Sequence, residues 1–283
     1  MTATPRLPNF FIAGSPNAGT TSLFFYLRQH PAVYMSPEKE PNYFGISESD
    51  SPTHLTWDGY LDLFRGVRDE TAIGEASVHY LLMPAAAREI WTRVPEARLI
   101  FVLRHPAETQ FTRYLRILWR EPELSFREWF TSAVEGRARW AQALTAGNYA
   151  TNLQRFFDLF PRERIQVHLY DDYRVDERAV ARSIFAFLGV DPDYPIDVSR
   201  RHNTTVVPRF AALERWRRRM FGSVRFLPLI PPGVRGMARR AFLRELPKRT
   251  MDAADRAFVI DYYRSEIQRA GDLIGRDLSA WLR

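Results

Sequence analysis

Residues 10–27 read FFIAGSPNAGTTSLFFYL, and no other stretch narrows the choice of fold as much. An apolar strand runs into a turn bounded by Gly14 and Gly19, and an apolar helix follows from Thr20. Such a turn gathers the first backbone amides of the helix around one point, which is how phosphate-cradling loops are built. Against the nucleotide-triphosphatase pattern G-x-x-x-x-G-K-[ST], Gly14, Gly19 and Thr21 fall in place, but Thr20 stands where lysine is required. Without that lysine the loop lacks the grip on β- and γ-phosphates that an ATP-driven kinase needs. Its backbone can still hold one phosphate. A tight strand–helix turn with no ligand is the other reading of the spacing.

The same alternation continues downstream. Apolar strands are expected at 9–13, 71–74, 98–103 and 165–169. Helices are expected near 20–30, 84–93, 107–120, 126–137, 148–160 and 177–188, with a final helix over 252–270 that stops at Gly271. Short buried strands alternating with amphipathic helices predict an α/β fold of three layers, a central parallel β-sheet with helices on both faces. Ligands of such sheets bind at the C-terminal strand ends. With 283 residues and 46% hydrophobic content, a single domain over 1–283 can bury a sizeable core. Beyond residue 190, DPDYPIDVSRRHNTTVVPR reads as a long loop, and the segment at about 191–250 is expected to cover substrate or cofactor. Within it, the arginine-rich residues 209–247 fit a flap, a helix in peripheral contact with a membrane, or an ordinary amphipathic helix pair.

Two of the 40 basic residues are lysines, Lys39 and Lys248, so the formal charge of +7 rests on 38 arginines. Biased genome composition explains this as well as an affinity for anions does, although the guanidinium fork matches phosphate and sulfate. No recognition helix, zinc finger or RNA-binding signature accompanies the charge, so no nucleic acid is expected as partner. The chain has no cysteine, which excludes disulfides, thiolate metal sites and cysteine nucleophiles and fits a reducing cytoplasm. Its six histidines are scattered, and no metal-ligand cluster is expected. FFIA is too short for a signal-sequence core and no stretch reads as a transmembrane span, so a cytoplasmic protein is expected.

Several segments, in order along nearly the whole chain, resemble the sulfotransferases that use 3′-phosphoadenosine 5′-phosphosulfate (PAPS), and in particular a bacterial group similar to heparan-sulfate sulfotransferases. NAGTTSL, residues 17–23, resembles their 5′-phosphosulfate loop K-x-G-T-T-S-L. HPAVYMSPEKEPNYF (30–44), GEASVHYL (74–81) and RHPAETQFTRY (104–114) resemble their next three signatures, the last with Thr112 in place of serine. GNYATNLQRFFDLF, IFAFLGV, HNTTVVPR and YYRSEIQRAGDLIGRDLSAWL follow in the expected order.

The resemblance implies a P-loop-like 5′-phosphosulfate loop over Asn17, Ala18, Gly19, Thr20, Thr21 and Ser22. It implies a 3′-phosphate site at Arg104 and Thr112, with Arg201 and Asn203 closing over the nucleotide. It makes Glu40 the base that takes the acceptor proton. Lys39 either pairs with Glu40 or steers the sulfate. His79 is a second acid–base candidate, although a satisfied buried histidine is the plainer reading. Two departures matter: Asn17 stands where the family carries a lysine that serves the leaving oxygen, and Asn42 stands where many relatives have histidine. The expected activity is sulfuryl transfer from PAPS, leaving adenosine 3′,5′-bisphosphate, to a hydroxyl or amine of a carbohydrate or secondary metabolite. The alternative is a specialised or non-catalytic PAPS-binding relative. Neither the acceptor nor the oligomeric state is legible here.

Overall fold

A computed structural model describes residues 6–46, 54–118, 120–137, 140–199, 206–208, 243–245 and 249–283. The elements run β1 (Phe10–Gly14), α1 (Thr20–Leu27), β2 (Val33–Met35), α2 (Trp57–Asp62) and β3 (Ala72–Ala76), then a 3-10 turn at Val78–Leu82. Next come α3 (Ala86–Arg93), β4 (Arg98–Leu103), α4 (Pro106–Leu115), α5 (Phe126–Val134), α6 (Tyr149–Phe157), β5 (Ile165–Leu169), α7 (Tyr170–Val175) and α8 (Glu177–Leu188). The short strands β6 (Val206–Pro208) and β7 (Leu243–Glu245) and the long α9 (Ala253–Ile274) complete the described chain. Cα proximity groups the chain into two compact units. One comprises Met1–Thr109, Thr145–Asn203 and Ala257–Arg283, the other Gln110–Leu144 and Thr204–Arg256.

The first unit holds a five-stranded sheet in the order β2-β3-β1-β4-β5, and every pairing is parallel. β1, β3 and almost all of β4 are fully buried, which is why FFIAG and RLIFVL read as unbroken apolar runs. On one face, α1 and α8 pack through Leu23, Leu27, Ala181, Ile184 and Phe185 against Phe10, Ile12, Ile100 and Val102. The Tyr26 hydroxyl of α1 donates to Glu177 of α8 at 2.7 Å. On the other face, Phe11 meets Phe44 and Tyr80 edge-on, and Phe101 meets Phe156 of α6. α9 is tied to α6 by Thr151, whose hydroxyl donates to Glu266 at 2.6 Å. The result is the expected three-layer α/β arrangement. Strand order reverses at β1: the chain goes outward to β2 and β3 on one side, then to β4 and β5 on the other. In open parallel sheets such a reversal, here between β1 and β4, is where ligands bind, at the C-terminal ends of the strands.

The second unit contains α5, which starts in a capping box: Ser125 Oγ accepts the Glu128 amide, and Glu128 accepts from the Ser125 backbone. Phe111, Tyr114, Phe126 and Trp129 form its aromatic core. β6 and β7 pair antiparallel.

Several boundaries differ from the sequence expectation. α1 ends at Leu27, α4 at Leu115 and α5 at Val134, each earlier than expected. α9 does not stop at Gly271 but runs to Ile274. At Gly271 a Cβ would lie 2.9 Å from the carbonyl oxygen of Arg276, so this glycine makes room for the returning chain rather than ending the helix. β2, α2, α7, β6 and β7 were not anticipated. Of the expected covering segment, Asp197 is tied to the turn that follows α1, where the Gln29 side chain donates to the Asp197 carbonyl and accepts its amide. Residues 209–242 lie outside the described chain.

Gly74 sits in the middle of β3, and a Cβ there would collide with the Phe10 ring. Gly74→Ala should therefore cost about 1–3 kcal/mol through overpacking, read as a lower urea midpoint. An unchanged midpoint would show that Phe10 has room to move.

Candidate active site

Gly19 caps α1 with φ of 79°, and a Cβ there would lie 2.9 Å from Tyr173, so both backbone and space call for glycine. The first intrahelical bond runs from Leu23 N–H to the Gly19 carbonyl at 3.2 Å. Helix geometry leaves the earlier amides, at Thr20 and Thr21, without an intrahelical acceptor. Asn17 also has a positive φ, 66°. Ala18 is fully buried. The loop is tied to β4: Ser15 gives both its amide and its hydroxyl to the Val102 carbonyl, at 2.9 and 2.8 Å.

Arg104, the first residue after β4, holds the same loop from the other side. Its Nη1 donates to the Asn17 carbonyl at 3.0 Å, its Nε donates to Glu108 at 3.1 Å, and its guanidinium lies 4.9 Å over the Tyr170 ring. The Arg104 carbonyl accepts the Tyr149 hydroxyl at 2.7 Å. Trp281, in a 3-10 turn at Ser279–Leu282 that follows α9, packs on Tyr149 and His105. Thr112 lies half-buried on α4 in the second unit. Arg201 and Asn203 lie outside the described residues.

The segment after β2 follows the C-terminal end of β3. Ser36 N–H donates to the Gly74 carbonyl at 2.8 Å and Glu40 N–H to the Ala76 carbonyl at 3.1 Å. Two strained residues flank Pro41: Glu40 at φ 65° and Asn42 at φ 49°. The Glu40 carboxylate accepts from Lys39 Nζ at 2.9 Å and lies 3.3 Å from His79 Nδ1. Burial pushes the Glu40 carboxyl up, but the His79 hydrogen bond and the Lys39 charge outweigh it and hold the group at about 2. The structure thus brings Lys39, Glu40 and His79 together. The expectation of a buried His79 is corrected, because its side chain is 46% exposed and turned to Glu40.

Beneath this cluster lies a group that sequence reasoning passed over. Glu75 of β3 is wholly buried, and no cation contacts it among the described residues. Its oxygens accept from Ser77 Oγ at 2.7 Å, from Tyr80 OH at 2.6 Å and from Tyr60 OH at 3.3 Å. Burial raises its pKa to about 7 although the three hydroxyls pull the other way. Burial and the neighbouring carboxylate hold both tyrosines well above their usual range, so they stay donors. The available signal was one carboxylate inside the otherwise apolar strand AIGEA.

A profile of the sulfotransferase family matches residues 83–195. A solved sulfotransferase from Alicyclobacillus acidocaldarius is 30% identical, with a TM-score of 0.75 over 98% of this chain and 100% of that one. The chain belongs to the sulfotransferase family. Sulfuryl transfer is the reaction class of that family. The human bifunctional heparan sulfate N-deacetylase/N-sulfotransferase 2 is 25% identical over 98% of this chain, which spans 31% of that relative's length. The sulfotransferase domain of the curacin biosynthetic pathway shares the fold, with a TM-score of 0.51 at 15% identity.

Glu75 makes the stability of this chain pH-dependent. Its folded pKa of about 7 lies above the ordinary 4.5. Its stabilising contribution is therefore complete below about 4.5 and lost as pH rises through about 7. Between pH 5 and 8.5, urea unfolding should show wild type losing up to about 3 kcal/mol relative to Glu75→Gln. Parallel curves for the two proteins would show an unshifted carboxyl.

Proposed function

We propose that this chain moves a sulfuryl group from PAPS to a hydroxyl or amine of a carbohydrate or small-molecule acceptor, with Glu40 receiving the acceptor proton. The observation that carries the reading is the Lys39–Glu40–His79 cluster at the end of β3, the strand beside β1 and its lysine-free anion loop.

The loop suits a phosphate. Residues 17–22 offer the amides of a helix start, and Arg104 holds their backbone in place. The buried Oδ1 of Asn17 has no partner among the described residues. Turning that amide over puts a donor in its place, as an anion requires. Residues 17–22 would hold the 5′-phosphosulfate end of the donor, and Arg104 reads its 3′-phosphate. When bound, the donor supplies the sulfuryl group and a phosphate leaving group.

The remaining chemistry belongs to the chain. Glu40 is ionised at any working pH, so it is always able to accept a proton. Its low pKa makes it a weak base while Lys39 stays attached. A Lys39 drawn towards an anion leaves Glu40 with one partner fewer and raises its basicity when the proton must move. Lys39 also supplies the positive charge that Asn17 lacks. A nucleotide-binding relative without turnover is the second reading. It rests on Asn17 alone, and the placement of Lys39 favours the enzyme. The cysteine-free composition and the likeness to the Alicyclobacillus protein support a bacterial, cytoplasmic setting.

Glu40→Gln keeps the shape but cannot take the proton, so turnover should fall on the order of 10²–10⁴-fold. Affinity for adenosine 3′,5′-bisphosphate should stay close to wild type. Near-normal turnover of Glu40→Gln, with loss of activity in His79→Ala, would give the role to His79. A second test concerns the missing loop lysine. Lys39→Ala should harm wild type far more than it harms an Asn17→Lys background, because both cations would serve one oxygen. Additive effects on the transfer rate would show that Lys39 does not replace the loop lysine.

A further inference from the structure

The chain that carries Glu40 is held through two hydroxyls. Ser77 Oγ accepts the Asn42 amide at 2.9 Å, and the Tyr80 hydroxyl accepts the amides of Tyr43 at 3.1 Å and Phe44 at 3.4 Å. Each hydroxyl has one proton, and each spends it on Glu75. Ionised, as it is above its pKa of about 7, the Glu75 carboxylate is acceptor-only, so it turns both protons inward and leaves the oxygen lone pairs facing the loop amides. Tyr60 adds a third donor to the same carboxylate and stacks on Tyr43 at 4.7 Å.

We infer that Glu75 is a positioning residue for sulfuryl transfer: through Ser77 and Tyr80 it clamps residues 42–44 and so fixes the strained turn that presents Glu40. A buried carboxylate without a cation is costly, and a strand of this kind would ordinarily carry valine or isoleucine there. The clamp explains the carboxylate, because no apolar side chain could orient the two hydroxyls. Asn42 is the point of greatest leverage. Its own amide hydrogen is held by Ser77, its side chain donates to the Glu40 carbonyl at 2.9 Å, and its positive φ needs both constraints. Glutamine at 75 would bring an amide that must donate to one of the hydroxyls. That hydroxyl would then turn its proton towards the loop amides and repel them.

The inference rests on Glu40 as the base, and the test separates the two. Amide exchange of the ligand-free full chain, read by NMR, should rise about tenfold or more at Asn42, Tyr43 and Phe44 in Glu75→Gln and at Asn42 in Ser77→Ala, with β1 and β4 unchanged. In both variants kcat should fall about tenfold or more while the Kd for adenosine 3′,5′-bisphosphate stays within about twofold. Ser77→Thr keeps the hydroxyl and should restore exchange and kcat together. Unchanged exchange at 42–44, unchanged kcat, or exchange rising equally throughout the sheet would each overturn the clamp. Exchange needs no turnover. A failure of the Glu40 assignment, seen as full activity of Glu40→Gln, is therefore told apart from a failure of the clamp.

Discussion

Backbone groups at the C-terminal edge of a parallel sheet have no further strand to pair with, so the chain that leaves the edge must meet them. Here the answers build the site. The Val102 carbonyl takes both donors of Ser15, the Gly74 carbonyl takes the Ser36 amide, and the Ala76 carbonyl takes the Glu40 amide. In return, Arg104 gives a guanidinium proton to the Asn17 carbonyl of the neighbouring loop. Two loops are thereby locked to two strands, β3 and β4, and the positive φ angles at Asn17, Glu40 and Asn42 all fall within them. Backbone strain of this kind persists only where surrounding bonds over-determine it.

Electrostatics at that edge divides two carboxylates that lie close in the chain fold. Glu40 is ionised through its partners, whereas Glu75 is raised by burial and, to a smaller degree, by the charge of Glu40 itself. One carboxylate can accept a proton, and the other orients hydroxyls. Opposite environments give one side-chain type two tasks. Lys39 brings a cation to this edge through its bond to Glu40.

The sheet was legible because its central strands are buried on both faces and read as unbroken apolar runs. β2 was not, because VYM is three residues long and carries no periodicity. α7 has six residues and follows β5 without a turn signal. Gly271 misled because glycine serves close approach as readily as helix ends. The helix actually yields to Gly275, at φ 68°. At the site, the motifs singled out Lys39, Glu40 and the 17–22 loop, since spacing marks the loop and a lone lysine stands out among arginines. Tyr170 over Arg104 and Tyr60 on Glu75 depend on contacts between segments apart in sequence, which no local pattern records, whereas Ser77 and Tyr80 stand only two and five residues from Glu75 and reach it through the 3-10 turn after β3.

The central claim is that the β1–α1 loop is built for one phosphate of a 3′,5′-bisphosphorylated adenosine rather than for a triphosphate. Calorimetric titration of the full chain with adenosine 3′,5′-bisphosphate and with magnesium ATP tests it directly. The account predicts one bisphosphate per chain. Magnesium ATP should bind weaker by about 10–100-fold, the worth of a missing charged contact to the β- and γ-phosphates. Equal or tighter binding of magnesium ATP, or no heat from the bisphosphate, would contradict it.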